Sequence, residues 1–170
     1  MVLADLPFGK QRAGFHYEDQ AAMEQQRDQI RQIVLRFKDH PALLAWAVGN
    51  ELEINTTPVE RAALWKEMNQ VARMIHQIDP AHPVITPVGD AYRRMLSELN
   101  RYCPDLDAVG LNSVADMLTL PEDIAKQGWT RPYWVHRVRP ARPLAGGENG
   151  LETADRGQLQ PEGRLLPPGL

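Results

Sequence analysis

The sequence predicts an α/β fold in which parallel strands alternate with helices. Three observations lead there. Short apolar runs at 43–48, 84–88 and 106–112 are separated by segments whose apolar residues recur every three or four positions, the alternation that builds βαβ units. The run Leu43-Leu44-Ala45-Trp46-Ala47-Val48 is apolar throughout, as in a parallel strand buried on both faces. It ends in Gly49-Asn50-Glu51-Leu52, which sets a carboxamide and a carboxylate where a parallel barrel carries its chemistry.

The elements follow in order. Val2-Leu3-Ala4, ahead of Pro7 and Gly9, is too short to convince alone and reads as the stub of a strand. A polar loop reaches Asp19, the candidate N-cap of a helix with Met23, Ile30, Ile33, Val34 and Phe37 on one face. His40-Pro41 ends it. After the strand at 43–48, Thr56 or Thr57 starts a second helix with Pro58 in its first turn. Leu64, Met68, Val71, Ile75 and Ile78 form its apolar stripe, stopped by Asp79-Pro80. Val84-Ile85-Thr86-Pro87-Val88 is the next strand and leads to Gly89-Asp90. A helix over 92–102 turns Met95, Leu96 and Leu99 inward, and the strand at 106–112 ends in Asn112. A short helix over 119–127, with Pro121 near its start, precedes a last strand, Tyr133-Trp134-Val135. Right-handed crossovers put all the strands' C-terminal ends on one side, so Glu51, Asp90 and Asn112 share a rim.

Size and charge narrow the reading. The 170 residues suffice for one domain with a core, whereas a complete (β/α)8 barrel takes about 250. Lys+Arg 19 against Asp+Glu 22 gives a net charge of -3 without a long basic block, which removes the electrostatic case for nucleic acid. Cys103 is the one cysteine, so no intrachain disulfide or Cys-based zinc site can form. No apolar run reaches the ~18 residues of a membrane span. The first seven residues lack the basic start and apolar stretch of a signal peptide, and compartment is not indicated. No His/Asp/Glu spacing suggests a metal, no Gly-rich loop fits a phosphate, and no Ser/His/Asp set is present; no cofactor is expected. Trp46, Trp65 and Trp129 read as packing, His40 as a structural hydrogen-bonder in its turn, and Glu53 as a solvated loop charge.

The segment from Lys38 through His40-Pro41 and the Trp46-bearing strand to Gly49-Asn50-Glu51 resembles the fourth strand of retaining glycoside hydrolases with (β/α)8 barrels, in particular the family 2 β-glycosidases. The resemblance implies that Glu51 is the general acid/base and that Asn50 donates to the sugar 2-hydroxyl. Asn112 becomes a candidate sugar contact, although Ser113-Val114 follow it where related enzymes often have Asn-x-Tyr. The implied fold is a partial TIM (β/α)8 barrel covering part of strand 3 and strands 4 to 7, over residues 1–135. The implied partner is a glycoside or oligosaccharide substrate.

Residues 136–170 form a second region, a C-terminal tail expected to be disordered. They hold six of the chain's 12 Gly and five of its 14 Pro, with no aromatic, Lys, Ile or Met, too little apolar surface to order a chain. One explanation is a natural flexible tail. The other starts from the family pattern, in which the last strand continues Thr-Glu-Phe-Gly and that Glu is the nucleophile. His136-Arg137-Val138-Arg139-Pro140 can be encoded by CAC CGA GTT CGG CCC, and dropping the first base reads ACC GAG TTC GGC, which is Thr-Glu-Phe-Gly. A one-base frameshift at about codon 136 is therefore expected, leaving this chain without its nucleophile and inactive. Two competing expectations are a non-catalytic half-barrel that pairs with a partner chain through its exposed edges and an α/β binding domain with a disordered tail.

Overall fold

The computed structural model describes residues 1–89, 92–112 and 117–136, with no account of the side chains of 92–94. Five strands form one sheet: β1 (Val2–Leu6), β2 (Leu43–Val48), β3 (Val84–Val88), β4 (Ala108–Leu111) and β5 (Tyr133–Val135). The order is β1-β2-β3-β4-β5 and every pair is parallel. Four helices connect them: α1 (Gln20–Phe37), α2 (Pro58–Ile78), α3 (Tyr92–Tyr102) and α4 (Leu120–Lys126). Strands that neighbour one another in strict sequence, joined by right-handed crossovers, place every helix on one face of the sheet. That is the geometry of a barrel wall and not of a doubly wound sheet, whose order reverses.

Strand alternation divides the core accordingly. Leu6, Trp46, Val48, Val84, Val88, Val109 and Leu111 join the helices' apolar stripes in one buried cluster. The opposite face carries a thin cluster of Ala47, Ile85 and Ala108, against which Leu3 and Trp134 pack. Along α2, Leu64, Met68, Val71 and Ile75 are all fully buried, each contributing about 1.5–3 kcal/mol of transfer free energy. α1 starts on Asp19, whose carboxylate accepts from Ala22 N at 3.1 Å. α2 starts on Thr57, with a complete capping box to Glu60, so the choice between Thr56 and Thr57 falls to the latter.

Three expectations need correcting. The first strand runs five residues and pairs with β2 along its length, because its partner supplies the ladder that Val2-Leu3-Ala4 alone could not. Phe37, expected inward, is 41% exposed. It closes α1 where the packed face has run out, and the Arg36 guanidinium lies 5.1 Å from its ring centroid. Glu53 is not a solvated charge but is 4% exposed. Among the described residues no helix is long and apolar enough to cross a membrane. Residues 137–170, Asp90 and Ser113-Val114 lie outside the described residues.

Candidate active site

The C-terminal ends of the strands meet on one rim. β2 leaves the sheet through Gly49 and Glu51, at φ 65° and 50°, and the turn ends at Asn55, φ 61°. A non-glycine residue in the left-handed region costs about 1–3 kcal/mol and persists only where its surroundings enforce it. At Glu51 two bonds do so. Its N–H donates to Pro87 O at the end of β3 (2.9 Å) and its carbonyl accepts from Arg12 Nη1 (2.6 Å).

The side chains converge from three strands. Asn112, just past β4, donates from Nδ2 to Glu51 Oε1 at 3.0 Å and to Asn50 Oδ1 at 2.8 Å. Its Oδ1 meets His136 Nδ1, just past β5, at 3.0 Å. The three residues singled out in the sequence, Asn50, Glu51 and Asn112, therefore touch. Asn50 is oriented through its oxygen, and among the described residues no hydrogen bond of its amide nitrogen is seen. Asn112, by contrast, has both of its polar atoms on protein partners and braces the Glu51 carboxyl. His136 continues the sheet ladder through its N–H to Leu111 O at 2.9 Å. Its ring lies against Gly110, where a Cβ would stand 2.6 Å from Cε1, and burial pulls its pKa down.

Beneath Glu51 sits a second carboxyl. The turn at 51–55 tucks Glu53 inward while Ile54 and Asn55 face out. Glu53 Oε1 accepts from Gly89 N at 2.7 Å, and Oε2 is buried without a hydrogen-bond partner among the described residues. Burial pushes the Glu53 pKa up; the Gly89 N–H opposes this, the Glu51 charge adds to it, and Arg12 opposes it. Thr56 N and Oγ1 both donate to the Glu53 carbonyl, which fixes the turn.

Sequence reasoning missed Arg12, Gly89 and His136 as parts of this site, and set Glu53 aside as a solvated loop charge in preference to a rim carboxylate. Arg12 belongs to a 3-10 turn, Gln11–Ala13, in a polar loop without periodicity. Glu53 carried no local signal of burial; the turn after Leu52, itself 3% exposed, is what carries it inward. Trp46 is packing, as expected, with Nε1 donating to Asp79 Oδ2 at 2.8 Å. His40 accepts from Ala42 N at Nδ1 (3.1 Å), a structural bond of the turn. No cluster of three or more His, Cys, Asp or Glu side chains able to hold a metal is present among the described residues.

Comparison with known proteins adds three findings. The family model "Glycosyl hydrolases family 2, TIM barrel domain" matches residues 7–165, which includes most of the region set apart as a tail. No curated protein matches the chain. Among solved structures, a GH10 endoxylanase retrieved from a sugarcane soil metagenome is 13% identical with a TM-score of 0.52, covering 76% of this chain and 43% of that one. A Thermobacillus composti GH10 xylanase is 14% identical with a TM-score of 0.48, covering 82% and 48%. The chain thus spans less than half the length of these two structures.

Proposed function

The chain belongs to the glycosyl hydrolase family 2 TIM-barrel family, and from that premise we propose that Glu51 is the general acid/base of a retaining hydrolysis of O-glycosidic bonds. The observation that carries this is the Glu51 residue itself. It stands at the C-terminal end of a barrel strand, in a left-handed conformation held by Arg12 and Pro87, with its carboxyl braced by Asn112. Asn50, oriented by Asn112, supplies a donor for a sugar hydroxyl. The substrate is a glycoside or oligosaccharide with a β-linkage, and water is the only co-reactant.

Retention of configuration needs a second carboxyl about 5 Å away, which attacks the anomeric carbon while the first protonates the leaving oxygen. After Val135 this chain has His136-Arg137, and neither side chain can form the glycosyl-enzyme ester. Residues 1–135 are part of the catalytic barrel; a shifted frame after 135 is supported by the codons that 136–140 permit, while the family match running on to residue 165 speaks against it. The chain as written is inactive, because the two carboxyls act as a unit.

The test begins with the coding DNA across codon 136. A Glu codon in the shifted frame is the expected result; its absence would sink the enzyme claim. The frame-restored protein, expressed with its surrounding coding sequence, should hydrolyse aryl β-glycosides. Glu51→Gln in it should slow substrates with poor leaving groups by about 10²–10⁴-fold and spare formation of the glycosyl-enzyme from activated ones. Equal loss on both would contradict an acid role.

One observation favours a partner-binding reading. Val2 is 57% and Phe37 41% exposed, beside a crevice of about 190 Å³ lined by Val2, Ala4, Phe37, His40, Ala42 and Leu43. An apolar crevice at a sheet edge suits another chain. Light scattering on the chain separates the readings: a stable assembly supports partner binding, and a monomer speaks against self-association.

A further inference from the structure

We propose that Glu53 is a positioning residue for Glu51: as a neutral acid it seats the Glu51 carboxyl between Gly89 and Asn112, and on ionising it drives that carboxyl from its seat. The inference rests on the acid/base reading of Glu51 and extends it to a residue outside the Gly-Asn-Glu motif.

The geometry begins at Gly89. A side chain starting there would place its first carbon 3.3 Å from Glu53 Oε1, 3.4 Å from Glu51 Cδ and 3.5 Å from Glu51 Oε1. Both carboxyls therefore crowd one point over the end of β3, and the lack of a side chain at 89 is what makes room. Two carboxylates so close repel, and a buried one gains little from water. Glu53 is the one that yields its charge. It is 4% exposed, while Glu51 is half-buried and open to the rim.

Its bonding agrees with a neutral form. Oε1 accepts the Gly89 N–H, and Oε2 has no donor among the described residues. A buried anionic oxygen without a donor is costly. A protonated Oε2 becomes a donor instead, and the Glu51 carboxyl, which crowds the same point beside Gly89, has an oxygen that accepts whether or not Glu51 holds its own proton. The described charged groups that act on Glu53 are Glu51, from the turn after β2, and Arg12, from the loop after β1. Arg12 is engaged on the Glu51 carbonyl, so it steadies the backbone of the acid and leaves Oε2 unpaired. Desolvation raises the Glu53 pKa, and the neighbouring Glu51 charge acts in the same direction.

The experiment is a carboxyl ¹³C NMR titration of this chain labelled at glutamate Cδ, comparing the unmodified protein with Glu53→Gln and Glu53→Asp. The Gln variant keeps the acceptor for Gly89 and mimics the neutral acid. The expected result is that the Glu53 signal inflects above the ordinary carboxylate range and that the Glu51 signal carries a second inflection at the same pH. Glu53→Gln should abolish that second inflection, and Glu53→Asp should move it. If either variant fails to fold, the two signals in the unmodified protein still decide. Glu53 titrating in the ordinary range, or a Glu51 curve with no inflection at the Glu53 step, overturns the proposal. Neither readout involves turnover, so this failure is distinct from failure of the acid/base role, which the leaving-group test reads.

Discussion

Asp79 is four bonds in one residue. Its carboxylate accepts from Trp46 Nε1, Ala81 N and His82 Nδ1, and its own N–H caps α2 on Ile75 O. Burial is the largest single influence on its pKa and pushes it up, yet the bonds from Trp46, His82 and Ala81 together outweigh burial and hold it low. Asp79→Ala leaves the Trp46 indole N–H buried without an acceptor, at a cost of about 1–3 kcal/mol, which urea denaturation should report. This residue shows what a one-dimensional reading can and cannot reach. Asp79-Pro80 was legible as a helix stop, and Trp46 as packing, because both follow from local rules. That one is the acceptor of the other was not, since 33 positions separate them and neither position has a signal pointing to the other. Glu53 failed for the opposite reason: the local rule for a loop carboxylate favours solvent, and only the fold of the 51–55 turn overrides it.

At the scale of elements, the helix of most consequence is α2, which packs against α1, α3, β2 and β3 and carries the largest buried stripe. Its start is a capping box in which Thr57 Oγ1 accepts from Glu60 N and the Glu60 carboxylate accepts from Thr57 N. Thr57→Ala should destabilise the protein by about 1 kcal/mol, read as a lower thermal midpoint with faster amide exchange in the first turn. Thr56→Ala should act differently, loosening the Glu53 carbonyl instead of the helix. The helices were legible because a 3.6-residue period leaves a spaced apolar stripe, and α3 keeps its expected limits of Tyr92 and Tyr102. Strands were legible where a full apolar run existed. β1 was underestimated, since Asp5 interrupts it and only the register Asp5↔Ala47, Leu6↔Val48 extends it.

For the whole molecule, two kinds of buried carboxyl pull stability in opposite directions with pH. Asp79 has a lowered folded pKa, so its contribution is present above its unfolded value near 3.8 and is lost as pH falls through the folded value. Glu53 and Glu67 have raised folded pKa values, chiefly from burial, so stability falls as pH rises from near 4.5 through theirs. Glu53→Gln should therefore raise the urea midpoint at pH 8, by about 1 kcal/mol or more in free energy, and leave it unchanged at pH 4. A gain of the same size at both values would mean that packing and not charge is responsible.

The strict succession β1-β2-β3-β4-β5 also has a kinetic meaning. Every strand after β1 pairs with the one made just before it, so the wall can grow in the order of synthesis, each βα unit docking on its neighbour. The rim is the exception. The Glu51 carboxyl depends on Asn112, 61 residues on, and Asn112 on His136, a further 24 on, so this part of the rim requires the last described strands even though each neighbouring strand pair is close in sequence.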